Sequence, residues 1–254
     1  MNAPAYGKIL ATFPLIFLLA ALALAGDPGG VAEADRLLNS PALNAHEARQ
    51  ALALYEESLT TAVSEREPLL ARLARVCFIL GDLAEEAQRQ EYYDKGRSYA
   101  QMLVAAQPAG VAGHYWLALN LAGLADVGGM LQGRKLLPDI LAELELALKL
   151  DETFDQAGAH RVLGRIFYEA PRRPLSVGDL QKSLDHLTAA VRLAPQNSTN
   201  HLYLAQTLLK TGDPDEARQQ LEQTLKATQH AIHPGGLADD QAAARRLLAE
   251  LGGK

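Results

Sequence analysis

The 254-residue chain reads as an all-α solenoid of antiparallel helical hairpins, closed by a C-terminal capping helix. Three observations predict it. A histidine followed three positions later by leucine and a small residue occurs at His114…Leu117-Ala118, His160…Leu163-Gly164 and His201…Leu204-Ala205. A segment Ala-x-x-Leu-x-Pro closes in the same frame at Ala190 to Pro195, with Ala147 to Glu152 a relaxed copy. Gly-Asp recurs at Gly81-Asp82, Gly178-Asp179 and Gly212-Asp213, each time beside an apolar helix. Short patterns returning at this period mark stacked helical units that share one surface, and strand signals are nearly absent.

The elements follow in order. Ile9 to Ala25 is an apolar run behind Lys8, ending Ala23-Leu24-Ala25 before Gly26-Asp27-Pro28, the layout of a secretory signal peptide over residues 1–25. Retained, the same run would act as an inner-membrane anchor, since its length approaches a membrane span. Residues 26–45 are expected to be a flexible segment. From about 46 to 63, Leu52, Tyr55, Leu59 and Val63 keep spacings of three and four and make an amphipathic helix. Pro68 suits the first turn of a second helix, which runs through Leu73, Val76 and Leu80 to Gly81-Asp82. Hairpins are expected at about 46–108, 112–152, 158–195 and 198–230, within a helical domain over 46–254. The cap is expected at 239–251, where Ala243, Leu247, Leu248 and Leu251 share a face.

Glycine adopts the left-handed cap that ends a helix, and an adjacent aspartate caps the next one, so Gly-Asp is the expected hairpin turn. The final copy is the most regular, with Ala205 and Ala217 flanking Gly212 and Leu221 one turn beyond. These positions reproduce the tetratricopeptide repeat (TPR), in which small residues let paired helices cross closely. Pro108 precedes His114 by the same interval as Pro195 precedes His201, so the frame also holds between units. Two insertions interrupt it, at 124–137 and 169–177. Insertions in a solenoid fall on one face, which either binds or serves as a structural collar.

Composition removes whole classes of function. A net charge of −6 with no basic stripe is a poor match to nucleic acid. The single cysteine, Cys77 in Val76-Cys77-Phe78-Ile79-Leu80, reads as a buried thiol rather than a nucleophile. No nucleophile elbow, phosphate loop, dinucleotide fingerprint or His-Glu-x-x-His helix is present, so no catalytic residue, cofactor or metal is expected. His230 and His233 could share a helix face, yet no third ligand has compatible spacing. Acidic pairs such as Glu56-Glu57 and Asp239-Asp240 read as solvated faces. The frame histidines are either partly buried rings with a hydrogen-bond partner or the polar lining of a groove.

The same frame selects candidate binding residues. Side chains one position after each frame histidine, and one turn later, should face the concave surface: Tyr115, Arg161 and Leu202, then Leu119, Arg165 and Gln206, with Tyr168 a further turn along. Arg161 and Arg165 on one face could hold a carboxylate, or pair with acidic neighbours inside the solenoid.

From about His114 to Leu225 the chain also resembles the TPR proteins known as the T component of tripartite ATP-independent periplasmic (TRAP) transporters (TatT). The likeness rests on Tyr115-Trp116-Leu117-Ala118, Leu137-Pro138-Asp139, Ala147-Leu148-Lys149-Leu150-Asp151 and, above all, Gly158-Ala159-His160-Arg161-Val162-Leu163-Gly164. Ala170-Pro171, Pro174, Ser176, Gly178-Asp179 and Ala190-Val191-Arg192-Leu193-Ala194-Pro195 extend it. The resemblance implies a non-enzymatic periplasmic accessory protein that associates with a periplasmic solute-binding protein. It also implies a pore able to pass a hydrophobic ligand. A carrier of a small hydrophobic or carboxylate ligand and a general scaffold for envelope assembly are the alternatives. That family carries an N-terminal lipid-anchored cysteine which this sequence lacks, so a membrane tie is expected only through a retained apolar N-terminus.

Overall fold

The computed structural model describes residues 28–62, 65–172 and 174–253, and within them finds eleven helices. These are α1 (Pro28–Leu38), α2 (Ala45–Thr61), α3 (Arg66–Leu83), α4 (Glu86–Ala106), α5 (Val111–Val127), α6 (Gly129–Leu150), α7 (Phe154–Glu169), α8 (Leu180–Leu193), α9 (Ser198–Thr211), α10 (Pro214–Lys226) and α11 (Gly236–Gly252). The fold is an all-α solenoid. Consecutive helices pair as hairpins, and α3, α5, α7, α9 and α11 also pack successively on one another. They form the inner layer, backed by α4, α6, α8 and α10. The expected signal peptide lies outside the described residues.

Several boundaries differ from expectation. The stretch expected to be flexible contains α1, because Ala34, Leu37 and Leu38 bury against Ala48, Leu52 and Leu73 in the N-terminal core. Tyr55 donates to Asp35 Oδ1 at 2.5 Å and the Arg72 guanidinium pairs with the same carboxylate at 3.0 Å, which tie α1 to α2 and α3. The first insertion is almost wholly helical. Only Gly128 and Gly129 make the turn, and Gly129 takes a φ of 69° that an L side chain resists. Pro138 therefore lies inside α6. It removes one backbone donor, leaving the Arg134 carbonyl to an exposed surface where water can satisfy it.

The Gly-Asp rule holds in full at one of its three sites and in its aspartate half at a second, since Gly178 has no left-handed φ and lies past the end of α7. Gly212 ends α9 at φ 93°, and Asp213 accepts the Glu216 N–H to start α10. Asp179 accepts the N–H groups of Gln181 and Lys182 and starts α8. Gly81-Asp82 instead lies within α3, where Asp82 accepts a hydrogen bond from the Tyr93 hydroxyl at 2.6 Å. The second insertion is a loop closed by an Arg172–Gly178 bridge, with the Asp179 N–H donating to the Phe167 carbonyl at 2.9 Å.

Small residues let the layers approach as the repeat pattern requires. Ala118, Ala205 and Ala217 are fully buried, and Gly164 meets the Leu187 side chain directly. The central core joins α3 to α7 through Tyr93, Tyr115, Trp116, Leu144 and Leu163. Cys77 is fully buried, and burial pushes its thiol up to about 12. Among the described residues no helix is long and apolar enough to cross a membrane.

Candidate functional site

The histidine frame has a direct physical meaning. The two ring nitrogens of His114 lie 2.9 Å from the Pro108 carbonyl oxygen and 2.6 Å from Glu143 Oε2. Those of His201 lie 3.0 Å from the Pro195 carbonyl oxygen and 2.7 Å from Gln220 Oε1. The constant Pro-to-His interval is thus the span over which a ring on an inner helix closes the preceding loop, while its other nitrogen ties down the outer helix. Both rings are buried, the first of the two alternatives for these residues.

His160 breaks the pattern. The residue at the equivalent of the loop proline is Phe154, and the ring pairs instead with His186, Nδ1 to Nδ1 at 3.0 Å. Phe167 stacks on His186, and burial lowers His186 to about 4, reinforced by His160 beside it. Burial likewise lowers His160, against the opposing influence of Glu152.

Where the third hairpin loses the proline contact, its backbone enters a left-handed turn. Asp155, Gln156 and Ala157 have φ of 49°, 57° and 61°, a conformation that costs roughly 1–2 kcal/mol per L residue. Arg161 holds this turn from within. Its guanidinium donates to Asp155 Oδ2 at 2.9 Å, to the Asp155 and Gln156 carbonyls at 3.3 and 3.2 Å, to Asn200 Oδ1 at 3.3 Å and to the Tyr115 hydroxyl at 3.1 Å. Tyr115 in turn donates to Asp155 Oδ2 at 2.5 Å. Asn200 and Asn197 complete the network through the Gln156 carbonyl and side-chain oxygens. Burial, with Asp155 next to it, raises Tyr115 well above its usual range, so the phenol remains a hydrogen-bond donor.

The seven residues selected from the frame therefore divide in two. Tyr115, Leu119, Arg161 and Leu202 are buried. The inner helices press on one another more closely than a one-sided picture of the concave face allows, so positions next to the histidines are covered. Arg165, Tyr168 and Gln206 lie half-buried at the surface of α7 and α9 and come together there. The Arg165 guanidinium sits 5.1 Å from the Tyr168 ring and 4.6 Å from the Tyr203 ring, and donates to Gln206 Oε1 at 2.7 Å. Its Nη2 pairs with Glu169 at 2.5 Å. Lys210 Nζ lies 4.0 Å over the Tyr168 ring and donates to the Tyr168 carbonyl at 3.0 Å. The product is a fixed wall of two cations and two tyrosines. Glu169 is more than half exposed, and such a pair is worth about 0–1 kcal/mol, so an incoming carboxylate can exchange for it at little cost.

Sequence reasoning overlooked Tyr203 and Lys210. Both could have been placed by the helical periodicity of α9, since they lie near Gln206. Asp155 and Asn200 carry no local signal. Asp240, expected on a solvated face, is instead buried and accepts hydrogen bonds from Ser198 Oγ at 2.6 Å and Thr199 Oγ1 at 2.7 Å. His230 and His233 do not share a helix face but sit in the linker between α10 and α11, rings 5.4 Å apart. Among the described residues no three acidic, histidine or cysteine side chains gather in a way that could hold a metal ion.

Two family models divide the chain. Residues 31–174 match the family described as regulator of microtubule dynamics protein 1-3. The chain belongs to that family. Residues 175–251 match a tetratricopeptide repeat, so the regulator family's match gives way to a TPR model within the α7–α8 loop. No curated protein matches. Among solved structures the chain is similar to a thermophilic TPR protein of Thermus thermophilus, at 20% identity and a TM-score of 0.66. That match covers 87% of this chain and 97% of the other, and it shows the shared TPR fold. The member described here is thus a TPR protein of the regulator family, of a fold that generally serves as a protein-interaction scaffold.

Proposed function

We propose that this protein is an exported, non-enzymatic interaction module whose partner is a periplasmic solute-binding protein of a TRAP-type transporter, held at the α7–α9 wall. The observation that carries the interaction is the wall itself. Arg165 is pre-set between two tyrosine rings, so binding a carboxylate-bearing surface forfeits little side-chain entropy. Aromatic and arginine anchors are the side chains that dominate interface energies. The T-component resemblance centred on Gly158 to Gly164 and the apolar run before Ala25 support the partner class and the export.

Capture of solute-binding proteins by the purified protein tests this. Arg165→Ala and Tyr168→Ala should each weaken capture about tenfold or more while leaving the melting temperature nearly unchanged. Retention equal to wild type in both variants rejects the wall as the site.

The family match over 31–174 favours a second partner, microtubules, whose dynamics the family's description names. Sedimentation with polymerised tubulin separates the two readings.

A further inference from the structure

The two insertions that interrupt the repeat emerge at one edge of the solenoid. Arg161 of α7 donates to the Tyr115 hydroxyl of α5 and to Asn200 Oδ1 of α9, so the N-terminal halves of these three inner helices lie together. The three run in the same direction, each returned by one outer helix, and Lys210 near the end of α9 donates to the Tyr168 carbonyl near the end of α7. The α5–α6 turn and the α7–α8 loop are therefore neighbouring tips at the edge where the inner helices end.

Those tips carry the three most exposed large apolar side chains among the described residues, Met130 at 85%, Leu131 at 84% and Leu175 at 76%. Single exposed apolar residues are ordinary on a folded surface, but three gathered on two adjacent tips are a patch. Cations accompany them. Arg134 and Lys135 lie exposed one turn along α6 from Leu131, and Arg172 is exposed three residues before Leu175. Among the described residues no carboxylate pairs with any of these three, because the acidic groups at the ends of α5 and α7 are engaged elsewhere, Asp126 with Arg89 at 3.0 Å and Glu169 with Arg165 at 2.5 Å. The turns on either side are acidic, with Glu85-Glu86 before α4 and Asp213 and Asp215 at the start of α10. Cationic and apolar character is thus confined to the two middle tips of a chain whose net charge is −6.

We infer that the tips of the second and third hairpins form a docking site for an anionic lipid bilayer, entered by Met130, Leu131 and Leu175 while Arg134, Lys135 and Arg172 rest at headgroup level. A bilayer suits this shape better than a protein does. Side chains protruding from two separate tips make neither a groove nor a flat face for a rigid partner, whereas the headgroup and acyl boundary moulds to each of them. Long cationic side chains reach lipid phosphates while their stems stay with the apolar layer, and each strengthens binding to an anionic surface about fivefold. The apolar run over residues 9–25 has the layout of an export signal or an anchor, and either brings the chain to a membrane. The inference does not depend on the α7–α9 wall or on its partner.

The test uses the full chain with one added cysteine carrying a polarity-sensitive fluorophore, since Cys77 is fully buried. Gly133→Cys puts the dye beside the α5–α6 tip, where a Cβ meets only an ordinary contact, and Ala109→Cys puts it in the exposed α4–α5 turn at the other edge. On vesicles of phosphatidylcholine with about a quarter phosphatidylglycerol, the tip dye should shift to the blue and the other should not. Sedimentation with the same vesicles should weaken at least tenfold for Met130→Ser with Leu131→Ser, and at least tenfold for Arg134→Glu with Lys135→Glu. Leu175→Ser, on the other tip, should weaken it several-fold. Binding through residues 9–25 is common to all these variants and does not separate them. Equal dye shifts at both edges, undiminished binding by the variants, or equal binding to pure phosphatidylcholine overturns the inference. A tip dye that stays silent on vesicles and shifts only with a protein partner also overturns it and makes the patch a protein contact. Arg165→Ala should leave vesicle binding unchanged, so failure of the wall as a capture site and failure of the lipid edge are read separately.

Discussion

The third and fourth hairpins solve the same construction problem in opposite ways. In α9–α10 nearly every tie is short: Gly212 turns the chain, Asp213 caps the next helix, and His201 closes onto the Pro195 carbonyl six residues before it. In α7–α8 the loop proline is missing, three residues occupy left-handed backbone, and Arg161 spends its donors on a turn that would otherwise relax. Asn200 and Tyr115, from the hairpins on either side, complete that clamp. A repeat can thus abandon its local rules where neighbouring repeats supply the missing partners, and the strained unit becomes the one that joins the array.

The largest expected effect breaks that clamp. Arg161→Ala leaves the Asp155 carboxylate and the Tyr115 hydroxyl without their shared cation, and removing one member of a buried ion pair costs about 3–5 kcal/mol. Urea unfolding should show that loss, and a change below about 1 kcal/mol would mean that the left-handed turn holds itself. Gly212→Ala probes the fourth hairpin, where one L residue must take φ 93°, and should cost about 1–2 kcal/mol. If it proves costlier than Arg161→Ala, the contrast between the two hairpins is inverted.

The smallest effect at neutral pH concerns the His160–His186 pair. His186 is lowered to about 4 by burial and by His160, so the folded state keeps it neutral where the unfolded chain, with an ordinary histidine near 6.5, takes up a proton. The stability difference between wild type and His186→Gln should be constant above about pH 6.5 and should shift against wild type as pH falls toward 4. Parallel stability curves for the two proteins across that window would show that the pair stays wet.

The regular units could be read from the chain because their determinants are near in sequence. Gly212-Asp213, Asp179 and the Pro-to-His interval all act within a turn or two, and the structure returns them as caps and ring-to-carbonyl bonds. The candidate binding face was only partly legible. Arg165, Tyr168 and Gln206 reach the surface, whereas Tyr115, Leu119, Arg161 and Leu202 are covered, because the frame locates a position on one helix and not what lies over it. The α10–α11 linker was least legible of all. His230 to Pro234 has no periodicity, and its place beside Arg75 depends on the curvature accumulated over four hairpins.

By itself the sequence determined the hairpin, the repeat frame and most helix ends, since backbone capping and amphipathic spacing are properties of a few adjacent residues. Tertiary structure alone decided which side chains remain open to a partner. Burial is set by residues that the chain brings together from far apart, as Asp155, Arg161 and Asn200 meet around one turn and as Ile232 reaches the first hairpin.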